Sequence, residues 1–107
     1  MISIAIITQL VELALNTVSN IQARHAARES LDQGQKIRQA LGQTGTNTKI
    51  YDEIVAEAKR QIAERDTVIT SNLSQLESVA AQVVAEVPSE RVNVAALLGR
   101  LKKEAAR

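Results

Sequence analysis

The sequence predicts an all-α protein: long helices, arranged as a helical hairpin or an extended rod, with a short C-terminal helix, packed in an oligomeric assembly. Three observations lead there. No Gly or Pro stands between Thr46 and Val87, and apolar residues recur through that stretch at helical spacing. Turn-forming residues gather at two places, the "LGQTGTNTK" cluster around Gly42 and Gly45 and the "EVPSER" segment around Pro88. The chain of 107 residues has no Phe, Trp or Cys and a single Tyr, so its 45% hydrophobic fraction is mostly Ala, Val, Ile and Leu. A core built from such side chains is thin, and two helices alone leave much of each apolar stripe in water. Neighbouring copies or partners are therefore expected.

We read residues 1–107 as one helical domain in four parts: an N-terminal amphipathic helical region over 2–41, a turn over 42–48, a long helix over 49–87 and a C-terminal helix over 89–107. The first part opens with eleven apolar residues among the seventeen from Ile2 to Val18. On a helical wheel Ile4, Ile7, Val11, Ala14, Val18 and Ile21 line one side, flanked by Leu10 and Leu15. Thr8, Gln9, Glu12, Asn16, Ser19 and Asn20 gather on the other.

A lone helix crossing lipid needs about 20 mainly apolar residues, and a central acidic side chain costs on the order of 3 kcal/mol, so Glu12 argues against solitary insertion. A secretory signal is not expected, since no Lys or Arg precedes the apolar stretch and no clear small-residue cleavage site follows it. Two readings stay open. In one, the stripe packs against other helices in water. In the other, several copies come together so that Ile4, Ile7, Val11, Val18 and Ile21 meet lipid or protein while Thr8, Glu12, Asn16 and Ser19 face a wet interior, where a charged side chain is tolerated.

Beyond Ile21 the apolar phase shifts to Ala23, Ala26, Ala27, Leu31, Ile37 and Leu41, and Gly34 interrupts the run at a cost of about 1 kcal/mol relative to alanine, so a kink or a change of partner is expected there. The long helix would span roughly 55 to 60 Å. Its packing stripe contains Tyr51, Val55, Ala58, Ile62, Ile69, Leu73, Leu76, Ala80, Val83 and Val87, with Arg65 snorkelling and Asn72 setting helix register. After Pro88, Ser89 or Asn93 can cap a last helix whose contact face is Val94, Leu97, Leu98, Leu101 and Ala105.

The inventory of chemical groups is short. His25 is the one histidine and there is no cysteine, so no metal site is expected, nor any cofactor. "GQTGTNTK" lacks the Gly-Lys-Ser/Thr succession of a phosphate-binding loop. The acids of the long helix stand at helical-neighbour distance from Lys49 and Arg60 and read as solvated faces. No nucleophile-and-base or acid-and-base pair is legible, and an enzyme is not expected. Net charge is +1, with five bases and three acids in residues 1–49, three and seven in 50–88, and five and two in 89–107. Complementary segments of this kind can dock on one another, whereas bases without interleaved aromatics do not make a sequence-specific nucleic-acid site.

In the order of its parts the chain resembles the small internal virion, or ejection, proteins of short-tailed bacteriophages. The parts are the aliphatic "MISIAIITQLVELALNTV", the Ala/Gln/Arg-rich "NIQARHAARESLDQGQKIRQAL", the long helix from "KIYDEIVAEAKRQ" to "AAQVVAEV", and the ending "SERVNVAALLGRLKKEAAR". The ending carries the resemblance furthest, through a break, a small polar residue, a valine and a leucine pair at Ser89, Val94, Leu97 and Leu98. The resemblance implies a structural protein of the virion, held inside the capsid near the portal, that leaves with or before the genome and helps build a conduit through the host envelope. Its partners would be further copies of itself, other virion proteins such as portal or tail components, and the host membrane. Under it, Ile4, Ile7, Val11 and Val18 face lipid or neighbouring helices, Thr8, Glu12, Asn16 and Ser19 face the lumen, and Val55, Ala58, Ile62, Ile69, Leu76 and Val83 mediate assembly. The competing class is a helical-hairpin adaptor or secretion-type interaction protein with no membrane role, which would bind its partner through the last helix.

Overall fold

In the computed structural model, which describes residues 4–107, the chain forms three α-helices: α1 (Ile4–Gln43), α2 (Lys49–Glu86) and α3 (Arg91–Ala106), with a single 3₁₀ turn at Pro88–Glu90. The described residues include no strand. Long helices followed by a short one are what the sequence predicts; the Ile2 start of the first region lies outside the described residues. α1 runs as one helix through Gly34, where a kink or a change of partner is the sequence expectation.

The ends of the helices have local causes. Gly45 takes φ 74, and the Thr46 amide reaches back to the Leu41 carbonyl at 3.1 Å while the Gly45 amide reaches Gly42 at 3.2 Å. This is a Schellman motif, which occupies carbonyls that the end of α1 leaves without amide partners. Asn47 Oδ1 then accepts the Lys49 amide at 2.9 Å and the Thr48 carbonyl accepts that of Asp52, starting α2. Val87, pushed to φ −132 by the proline that follows it, ends α2. Neither Ser89 nor Asn93 caps α3, contrary to expectation. Glu90 holds the N-cap position without a side-chain cap bond, and Asn93 donates to its carboxylate at 3.2 Å.

The contacts fall into two compact units, Met1–Ile21 with Thr67–Arg107, and Gln22–Asp66. In the first, the start of α1, the end of α2 and all of α3 close around Leu10, Leu76, Val79, Ala80, Val83, Val94 and Leu101. Ile6, Leu13, Leu73, Leu97 and Leu98 pack against that cluster. In the second, Arg24 pairs with Asp66 at 2.7 Å and Arg38 with Asp52 at 3.5 Å. As one number rises the other falls, so this unit is an antiparallel hairpin about the 44–48 turn. Ala27, Gly34, Val55 and Ala58 are buried within it. The absence of a side chain at Gly34 is what permits the approach: a Cβ there would stand 3.2 Å from Val55 Cγ2 and 3.4 Å from Ile54 Cγ2.

Along α1 a single file of buried and half-buried residues steps by four and three: Ile6, Leu10, Leu13, Thr17, Asn20, Arg24, Ala27, Leu31, Gly34, Arg38 and Leu41. That is the spacing of a coiled-coil seam. It differs from the apolar stripe the sequence offers, and the difference decides which residues remain exposed.

Candidate interaction surface

The seam takes α1 into the first unit by a face roughly a third of a turn away from the Ile4 to Ile21 stripe. Of the residues expected to meet lipid or other helices, Ile21 is 4% exposed and belongs to the interior. The others do not: Ile4 is 80% exposed, Ile7 40%, Val11 50% and Val18 39%, and Leu15 beside them is 65% exposed. These five stand at helical spacing over about 21 Å of α1. Together they present on the order of 500 Å² of aliphatic surface, the upper end of what a soluble monomer ordinarily shows as one patch.

Thr8, Glu12, Asn16 and Ser19 are exposed as well. Asn16 nevertheless has internal partners, because its Oδ1 accepts from Asn72 Nδ2 at 2.8 Å and from Asn20 Nδ2 at 3.1 Å. Thr17, fully buried, donates its hydroxyl to the Leu13 carbonyl at 2.7 Å. A buried hydroxyl or amide is costly without such a partner, and these bonds are what admit polar residues to the seam. Asn72 is thus buried and bonded on the packing stripe, where the sequence places a register-setting residue. Glu12 lies beside the aliphatic patch and makes no ion pair among the described residues.

The assembly stripe of α2 is taken up internally. Val55, Ala58, Ile69, Leu76 and Val83 are buried and Ile62 is half-buried. The α3 face is used the same way, with Val94 and Leu101 buried and Leu97 and Leu98 half-buried against the first unit's core. Arg65 and His25 are exposed.

Two further features complete the surface. Between the end of α2 and α3 runs a groove of about 640 Å³, lined by Ala81, Val84, Ala85, Pro88, Ala95 and Leu98, with Arg91 along it. Lys102, also on its lining, is paired with Glu77 at 2.5 Å. In the second unit Arg60 bridges Glu57 and Glu64 on the outer face of α2. Hydrogen bonding from Arg60, with help from the Gln61 amide, holds the Glu57 carboxyl down at about 2, and Glu57 in turn pushes Arg60 upward. All three are exposed, so this is a solvated charge network of small energetic weight.

Sequence reasoning missed the seam of α1 because it ranks residues by hydropathy. Ile6, Leu10 and Leu13 announce the four-three step, but Thr17, Asn20 and Arg24 continue it with polar side chains. The step itself, followed without regard to polarity, was the available signal.

By length and composition α1 is able to cross a membrane, and 22% of the qualifying 18-residue window is buried. A core helix that meets the same criteria is mostly buried, and a signal sequence near an N-terminus meets them too. The chain matches no family model, no curated protein and no solved structure.

Proposed function

We propose that this chain is a structural virion component, an internal or ejection protein of a short-tailed bacteriophage, which assembles near the portal and helps form a conduit through the host envelope for DNA. One observation carries the reading: Ile4, Ile7, Val11, Leu15 and Val18 stay exposed on a helix long and apolar enough to cross a bilayer. Exposed aliphatic area of this size is unfavourable in water by about 25 cal/mol per Å², and a membrane or a neighbouring helix removes that cost. Thr8, Glu12 and Ser19 are exposed along the flank of that stripe, where polar side chains can stay in contact with water as the aliphatic face is covered. The adaptor reading, with the last helix as its binding element, fits less well because Val94 and Leu101 are spent on the chain's own core.

Dye release from anionic liposomes and mass spectrometry of purified phage particles test the proposal together. The chain is expected to release dye, the Val11→Asp/Leu15→Asp variant to release little, and the protein to be present in particles. Intact liposomes at micromolar protein combined with absence from particles would remove the function.

A further inference from the structure

We propose that a second copy of the chain covers the exposed face of α1, and that it does so with its groove between the end of α2 and α3 and not with its own aliphatic stripe. The inference deepens the reading of an assembling protein and rests on it only for self-association, since no lipid is required.

Shape comes first. The stripe is a row of branched aliphatic side chains, Ile4, Ile7, Val11, Leu15 and Val18. The groove is lined by the methyl groups of Ala81, Ala85 and Ala95 beside Pro88 and Leu98, and holds about 640 Å³. Large branched side chains entering gaps above alanines is the way helices interdigitate.

Charge selects the same pairing. Glu12 is the one charged residue from Ile4 to Ile21 and has no ion pair among the described residues. Two stripes pressed together would place two such carboxylates at one interface with no cation from either segment, and the next base, Arg24, is already bonded to Asp66. In the groove, Lys102 is neutralised by Glu77, whereas the Arg91 guanidinium has no acidic partner among the described residues. The uncompensated charge is therefore negative beside the stripe and positive beside the groove, which favours stripe on groove.

Symmetry follows. Each copy offers one stripe and one different groove, so the contact is head-to-tail, and repetition gives a ring or a filament.

Light scattering with sedimentation, without lipid or detergent, tests this on the full chain. Val11→Ser/Leu15→Ser breaks the stripe; Ala81→Gln/Ala85→Gln fills the groove at exposed positions. Wild type is expected to gain mass with concentration and each variant to remain a single chain. An equimolar mixture of the two is expected to give a two-chain species and nothing larger, because one intact stripe then meets one intact groove. Wild-type-like assembly by the groove variant would mean that the stripe pairs with itself and would overturn the proposal. So would a mixture that stays monomeric while circular dichroism shows both variants helical, or a wild type that is monomeric throughout.

A charge exchange supplies a second route that leaves the apolar surfaces alone. Glu12→Arg and Arg91→Glu are each expected to weaken association by about tenfold, and together to recover most of it. Weakening without recovery counts against the pairing. Liposome leakage is read separately, so a chain that assembles as described but leaves vesicles intact loses the conduit and keeps this interface.

Discussion

Arg24 shows what a seam position can demand of one residue. Its side chain is 5% exposed, and its guanidinium meets Asp66 at 2.7 Å, whose carboxylate is half in water. Removing an acidic partner from a buried cation costs more than the pair contributes, because the charge stays behind in a poorly solvated place. Asp66→Ala is therefore expected to lower stability by about 3 kcal/mol in urea unfolding, and Arg24→Met in the same background to recover most of that loss. A double variant no more stable than Asp66→Ala alone would show that Arg24 is not held by charge. None of this was legible from the residue itself, since an arginine in an alanine-rich segment reads as a solvated face. The Asn72 position was legible, because a lone amide interrupts an otherwise apolar period; its partner Asn16 was not, being placed by wheel geometry among residues that face water.

At the scale of elements, α1 and α2 are set by ordinary signals: an unbroken period, a glycine in the left-handed region at the end of α1, and a proline after α2. Gly34 is the instructive exception. Helix propensity alone predicts a weak point there, whereas packing makes it a place of close approach, with Val55 Cγ2 at 3.2 Å from where a Cβ would stand. Alanine would regain about 1 kcal/mol of helix propensity and give back a comparable amount by displacing Val55. A leucine has no room in either direction. Gly34→Leu is expected to lower stability by about 1 to 3 kcal/mol, measured by thermal unfolding, with the melting of the Gln22–Asp66 hairpin seen first in amide exchange. An unchanged melting temperature would mean that the approach is not tight.

For the whole molecule, the governing fact is that α1 buries one face and leaves an aliphatic stripe from Ile4 to Val18 exposed. A Val11→Ser/Leu15→Ser change touches no seam residue, so unfolding free energy should move by less than about 0.5 kcal/mol while binding of a hydrophobic dye falls sharply. A large loss of stability from this variant would show that the stripe is part of the interior. Conversely, the expectation that α2 and α3 lend their apolar faces to other molecules gives way to a simpler arrangement. Val83, Val94 and Leu101 belong to the first unit's core, so these faces are largely spent internally; α1 carries the longest exposed aliphatic stripe, with Ile50, Ile54 and Val68 on α2 and Val92 on α3 also exposed.

Helix type, helix number and the position of both turns followed from periodicity, glycine and proline, because those signals act within a few residues and need no partner. Which side of α1 turns inward did not follow, because the helix is apolar over more than half its circumference and offers two acceptable faces. The choice came from what α2 and α3 could receive, including hydrogen-bonded Asn and Thr and an ion-paired Arg that hydropathy places outside. Burial is a property of the pair of surfaces that meet, and one chain segment read alone describes a single member of that pair.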